Sequence, residues 1–137
     1  AVASDPRNRG LEYRAYFKNY VDSDILVINL VAFDGDKAPV DILRSLLQVA
    51  ERIESRRFES VELARRGETR FVLSGDYFQR LGVEYGEQNP VYTMRTLPEN
   101  LMLPDGNAAF SRWTGGVLGV TSKQMEDFQR FIRDWVS

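Results

Sequence analysis

The sequence predicts an α+β fold, an antiparallel or mixed sheet of about five strands carrying three helices mainly on one face. Three observations predict it. Two strand-like runs precede residue 34, an apolar repeat at helical spacing follows from Val40, and two alternating runs then lead into further helical stretches. The resulting order, β-β-α-β-β-α-β-α with a hairpin in the middle, favours a sheet whose helices gather on one side.

Residues 1–9 are polar, carry Pro6 and lack periodicity, so a frayed tail is expected ahead of a single domain over residues 10–137. Leu11, Tyr13, Ala15 and Phe17 alternate with Glu12, Arg14, Tyr16 and Lys18, which reads as a strand, with a short helix as the alternative. Val21-Asp22-Ser23-Asp24 reads as a turn, and the β-branched run Ile25 to Phe33 as a second strand, ended by Asp34-Gly35-Asp36. Pro39 suits a first helical turn, and Val40, Leu43, Leu46, Leu47, Ala50 and Ile53 then recur at helical spacing up to Arg56. Ser60–Ala64 and Thr69–Leu73 form the predicted hairpin, with Val61, Leu63, Phe71 and Leu73 inward and Arg65-Arg66-Gly67-Glu68 at its corner. Ser74 caps a short helix through Tyr85 that buries Phe78 and Leu81, and Gly86 stops it. Prolines break the segment from Glu87 to Arg112, where Val91 to Thr96 is read as a strand. Thr121, with Gln124 three residues on, makes a capping box for a last helix with Met125, Phe128, Ile132 and Trp135 as its stripe.

Composition narrows the chemistry. The chain has 137 residues, 18 basic against 20 acidic, and a net charge of -2, a balance unlike the basic domains that hold nucleic acid by phosphate neutralisation. Histidine and cysteine are both absent, which removes the commonest general base, thiol chemistry and nearly every zinc, copper or haem site. No cofactor is expected. The longest apolar run, Ile25 to Phe33, is interrupted by Asn29 and falls far short of the roughly 20 residues that cross a bilayer. The chain begins at Ala1, and Ala1-Val2-Ala3 has the small-residue pattern of a signal-peptidase site, so an exported and a cytoplasmic location both stay open.

Two catalytic patterns fail on inspection. Asp34-Gly35-Asp36 after an apolar strand could hold Mg²⁺ or act as a phosphoenzyme site, yet no Lys and acidic pair follows to complete it, and an acidic turn is the preferred reading. Gly115-Gly116-Val117-Leu118-Gly119 ahead of Lys123 lacks both the phosphate-loop and the dinucleotide spacing, and reads as a bent strand beside Trp113. Among the remaining carboxylates, Glu84 and Glu87, with Asp76 and Glu99 nearby, could in principle supply an acid and base pair.

The Pro-broken segment is the more informative feature. Tyr85, Tyr92 and Trp113 accompany Gln88, Asn89 and Arg95, a mixture of ring faces and planar polar groups suited to a binding surface, with Arg95 as polar anchor. Leu97, Leu101, Met102 and Leu103 are too apolar for a solvated loop, so they either pack under the sheet or form an exposed patch. The functional expectation is a non-catalytic binding module for a protein or peptide partner, a second copy of the chain included. The alternative is a small hydrolase or transferase using Asp34, Asp36, Glu84 or Glu87, with or without Mg²⁺ or Ca²⁺.

Overall fold

In the computed structural model, residues 6–18 and 22–137 are described. Strands β1 (Leu11–Lys18) and β2 (Asp22–Phe33) lead to helix α1 (Pro39–Arg52), then come β3 (Ser60–Arg65), β4 (Glu68–Ser74) and helix α2 (Gly75–Glu84). Helix α3 (Pro90–Thr96) and helix α4 (Val117–Val136) complete the order, with 3-10 turns at Pro6–Asn8 and Pro98–Asn100. The sheet is mixed: its four strands lie in the order β1-β2-β3-β4, antiparallel at both sides and parallel between β2 and β3. Parallel neighbours need a crossover, and α1 supplies it.

Register sorts the side chains onto two faces. Phe17, Leu26, Val61 and Leu73 form one row across the sheet, and Ala15, Ile28, Leu63 and Phe71 the next. Helices cover this face. The Tyr13 hydroxyl lies 2.6 Å from Ser45 Oγ of α1, while the Tyr13 and Phe71 rings meet Trp135 and Phe131 of α4 at 5.9 and 5.1 Å. Burial pushes the Tyr13 phenol well above its ordinary pKa, so it remains a neutral hydrogen-bonding group. Leu43, Leu46 and Leu47 all point from α1 into this core.

Tyr16, Val27, Glu62 and Val72 make a row on the opposite face. Glu62 is buried there, and its carboxylate accepts from Lys18 Nζ and Thr69 Oγ1, each at 2.8 Å, which answers the cost of burying its charge. Arg65 solves the same problem with carbonyls. Its Nη1 donates to Leu30 and Val31, and its Nε donates to Val136 at the end of α4, where helix carbonyls carry partial negative charge. Val31 is available because a bulge opposite Glu12 leaves it unpaired in the ladder.

Two close fits depend on glycine. The β3–β4 corner is a two-residue turn in which Arg66 and Gly67 both take positive φ, 51° and 81°, the geometry that matches strand twist. Helix α2 crosses α1 so closely that a Cβ on Gly82 would stand 2.3 Å from the Ala50 carbonyl oxygen. Any side chain there must push the helices apart.

Several expectations need correction. There are four strands among the described residues, not five, because Val91 to Thr96 lies in helix α3. Asn89 accepts the Val91 N–H at 2.9 Å and Pro90 sits in the first turn, and these N-terminal signals outweigh the β-branched Val91, Thr93 and Thr96. The last helix starts at Val117 with Gly116 as its N-cap, so Thr121 and Gln124 are interior residues and the Gly115-Gly116 run forms no bent strand. Asp22, Ser23 and Asp24 belong to β2, whose pairing continues to Lys18 opposite Asp22; Val21 lies outside the described residues. Of the nine residues expected to fray, Pro6–Asn8 form a turn docked on α1, where Asn8 Nδ2 donates to Gln48 Oε1 at 2.6 Å. Residues 1–5 lie outside the described residues. Among the described residues no helix is long and apolar enough to cross a membrane.

Candidate functional site

A cleft opens where α1, α2 and α3 meet, and local chemistry sets each wall. Ser74 Oγ accepts the Tyr77 N–H and starts α2, which turns Tyr77, Phe78 and Leu81 inward. Gln88 Oε1 then accepts the Asn89 N–H, and Asn89 Oδ1 accepts the Val91 N–H and caps the start of α3. Val40, Leu43, Arg44 and Leu47 form the third wall from α1, with Arg7 at one end.

The cleft has two lobes that share Leu81, Glu84, Gln88 and Thr93. The larger, about 370 Å³, is floored by Val40, Leu43, Leu47 and Leu81 and flanked by Tyr85 and Pro90. The smaller, about 280 Å³, is polar and brings together Tyr77, Arg80, Tyr92, Glu99 and Arg112. Burial, partly offset by its hydrogen bond to Thr96, pushes the Tyr77 phenol up to about 12, so it stays protonated in neutral solution.

Arg44 bridges the apolar lobe to the N-terminal turn. Its Nη1 donates to Asp41 Oδ1 at 2.8 Å and its Nη2 to the Arg7 carbonyl at 3.0 Å, while its buried Nε has no hydrogen-bond partner among the described residues. Asp41 also accepts the Ala38 N–H at the start of α1. The Arg44 hydrogen bond holds the Asp41 carboxyl below its ordinary range, so the stability this pair adds persists into mild acid and is lost as pH falls through that lowered pKa.

The residues expected at a binding surface divide into two groups. Tyr85 and Gln88 line the apolar lobe, and Gln88 and Tyr92 the polar one, with the Tyr85 hydroxyl accepting from Gln48 Nε2 at 3.4 Å. Asn89 is the α3 cap beside them. Arg95 and Trp113 line neither lobe and instead engage α4. Arg95 Nε donates to Gln124 Oε1 at 3.0 Å, Trp113 Nε1 donates to Asp127 Oδ2 at 2.7 Å, and Lys123 Nζ lies 4.3 Å from the Trp113 ring centre. The α1 wall was missed in the sequence because its apolar residues read as core. No sequence signal set it apart, since Val40, 44% exposed in the structure, stands in the same apolar repeat as the buried leucines.

Carboxylates are distributed unevenly. Glu84 borders both lobes and Glu99 the polar one, where Arg112 lies 3.9 Å from it. Asp34, Asp36, Asp76 and Glu87 line neither lobe. Asp34 instead accepts the Asp36 N–H and closes the acidic turn. Among the described residues no group of three acidic side chains is placed to hold a metal ion. Comparison with protein-family models, with curated proteins and with solved structures finds no match to this chain, so its function has to be argued from the site.

Proposed function

We propose that the protein is a non-catalytic module that binds a peptide segment of a partner protein in the α1–α2–α3 cleft. The carrying observation is the apolar lobe of about 370 Å³ opening beside a polar one, a concave site in the usual size range for ligands, with polar groups at its rim. A bulky apolar side chain of the peptide fills the larger lobe. Arg7, Arg44, Arg80 and Arg112 outnumber Glu84 and Glu99 around the two lobes, which favours a peptide with acidic residues next to its anchor. Val40 and Tyr92, 44% and 49% exposed on opposite rims, gain burial when such a segment lies across them. The hydrolase alternative would have to use Glu84 with Glu99, a carboxylate already attended by Arg112.

Selection of a random peptide library on the immobilised protein tests this reading. Enriched peptides should share one large apolar residue with acidic neighbours. Val40→Trp, which fills the apolar lobe from its exposed rim, should weaken their binding by at least about tenfold while leaving the melting temperature unchanged. Failure to enrich any peptide over a blank surface, or winners indifferent to Val40→Trp, would overturn it.

A further inference from the structure

We infer that β1 is a dimerisation edge, at which a second copy of the chain adds its own β1 antiparallel about a two-fold axis through Ala15. The inference is independent of the cleft. Sheet order leaves β1 on the outside, whereas the other edge strand, β4, is partly covered: Val72 and Met102 exchange two backbone hydrogen bonds of 2.8 Å. Among the described residues no strand lies against the outer side of β1. A row of backbone donors and acceptors therefore stands there ready for another strand.

The sequence of β1 is complementary to itself about Ala15. With the axis at that residue, Glu12 of one copy faces Lys18 of the other, Arg14 faces Tyr16, Tyr13 faces Phe17, and Ala15 faces Ala15. Opposite charges, a cation with a ring, and two aromatic rings are all favourable cross-strand pairs. Moving the axis one residue back sets Arg14 against Arg14, and one residue on sets Arg14 against Lys18; both juxtapose like charges. Placing the axis between residues would oppose the helix-covered face of one copy to the open face of the other. The alternating charges thus reject neighbouring registers as well as favouring this one.

The backbone suits the same register. Pairing of β1 with β2 is regular from Tyr13 to Phe17, a stretch centred on Ala15, and the irregularities on either side place their extra residues on β2. Although Ala15 belongs to the helix-covered row, it is exposed, and beside it lies a hollow of about 210 Å³ lined by Leu11, Tyr13, Ile28 and Val49. The second copy's Phe17, only partly buried in its own copy, is a diagonal neighbour of Ala15 across the new ladder and comes within reach of that space. Lys18 already pairs with Glu62 at 2.8 Å, but its ammonium carries three donors and its side chain is 44% exposed, so it can take Glu12 as well.

The absence of cysteine makes the test direct. Directly opposed residues of antiparallel strands lie about 4.5–5.5 Å apart at Cα, within disulfide range. Ala15→Cys should therefore form a cross-linked dimer rapidly under mild copper-phenanthroline oxidation. Glu12→Cys should not, because two copies of residue 12 would stand about 20 Å apart along the strands. The unmodified chain should sediment as a concentration-dependent dimer, and Glu12→Lys, which turns both charged pairs repulsive, should raise its dissociation constant at least about tenfold, with an unchanged melting curve at concentrations where both chains are monomeric. A chain monomeric at millimolar concentration overturns the inference. So does equal cross-linking at the two cysteine positions, or none at residue 15, or a dimer that Glu12→Lys leaves intact.

Discussion

Trp135→Ala is expected to cost about 3 to 5 kcal/mol, the largest loss at any single position, and to leave little of a typical domain's stability. Trp135 is 0% exposed and holds three things at once. Its ring stacks on Phe131 at 5.8 Å, meets Tyr13 of β1 at 5.9 Å, and its Nε1 donates to the Ala64 carbonyl of β3 at 3.0 Å. Truncation opens a cavity between α4 and the sheet and removes the indole hydrogen bond to the Ala64 carbonyl, two penalties that add. Trp135→Phe separates them. It keeps most of the packing and loses the hydrogen bond, so urea titration should place it roughly 1 to 3 kcal/mol below the parent chain. A loss under about 0.5 kcal/mol for Trp135→Ala would mean that α4 does not pack where the structure has it.

The second large effect belongs to α1. Leu46 is fully buried on the helix face that meets the sheet, and Leu46→Ala should lower stability by about 2 to 5 kcal/mol. Val40→Ala, at a half-exposed position on the same helix, is the internal control and should stay within about 0.5 kcal/mol of the parent. The contrast matters more than either value, since it measures which part of α1 is packed in the core and which stands open at the rim of the cleft. Comparable losses at both positions would contradict that division.

What the chain discloses before folding is mostly local. Helix α1, the β3–β4 hairpin and α2 are legible because their signals lie within a few residues: Pro39 ahead of an apolar repeat, a Gly at a hairpin corner, Ser74 as a cap. Helix α3 is misread for an equally local reason. Asn89-Pro90 announces a helix and the β-branched side chains after it announce a strand, and at seven residues neither period is long enough to decide. The N-terminus of α4 is displaced because Thr121 and Gln124 resemble a cap, while Gly116, a poorer-looking one, takes the role one turn earlier. Of the apolar residues in the Pro-broken segment, Leu97 and Leu101 are buried, 0% and 1% exposed, and Met102 joins the edge of β4, whereas Leu103 stays exposed.

The cleft was only half legible for a different reason. Tyr85, Gln88 and Tyr92 sit in one stretch of chain, and a stretch of chain can be recognised. The wall opposite them, Val40, Leu43 and Leu47, lies some forty residues earlier, and only the crossing of α1 by α2 at Gly82 makes it a wall. Conversely, Arg95 and Trp113 carry the same residue chemistry as their neighbours but are committed to Gln124 and Asp127 on a helix whose direction no local pattern specifies.

The bond from Trp135 to Ala64, with that from Arg65 to Val136 beside it, spans 71 residues and sets the tempo of assembly. Contacts of such sequence separation form only after a large loop is closed, and that entropy is lost before any contact rewards it. The hairpin and α2 are contiguous in sequence and need no such closure, so protection of β3 and β4 amides from hydrogen exchange should precede the burial of Trp135 during refolding. Simultaneous appearance of the two signals would place α4 in the nucleus instead. In the interval Leu63, Phe71 and the rest of the inner face have no lid, which makes the time before α4 docks the period in which the chain is most prone to aggregate.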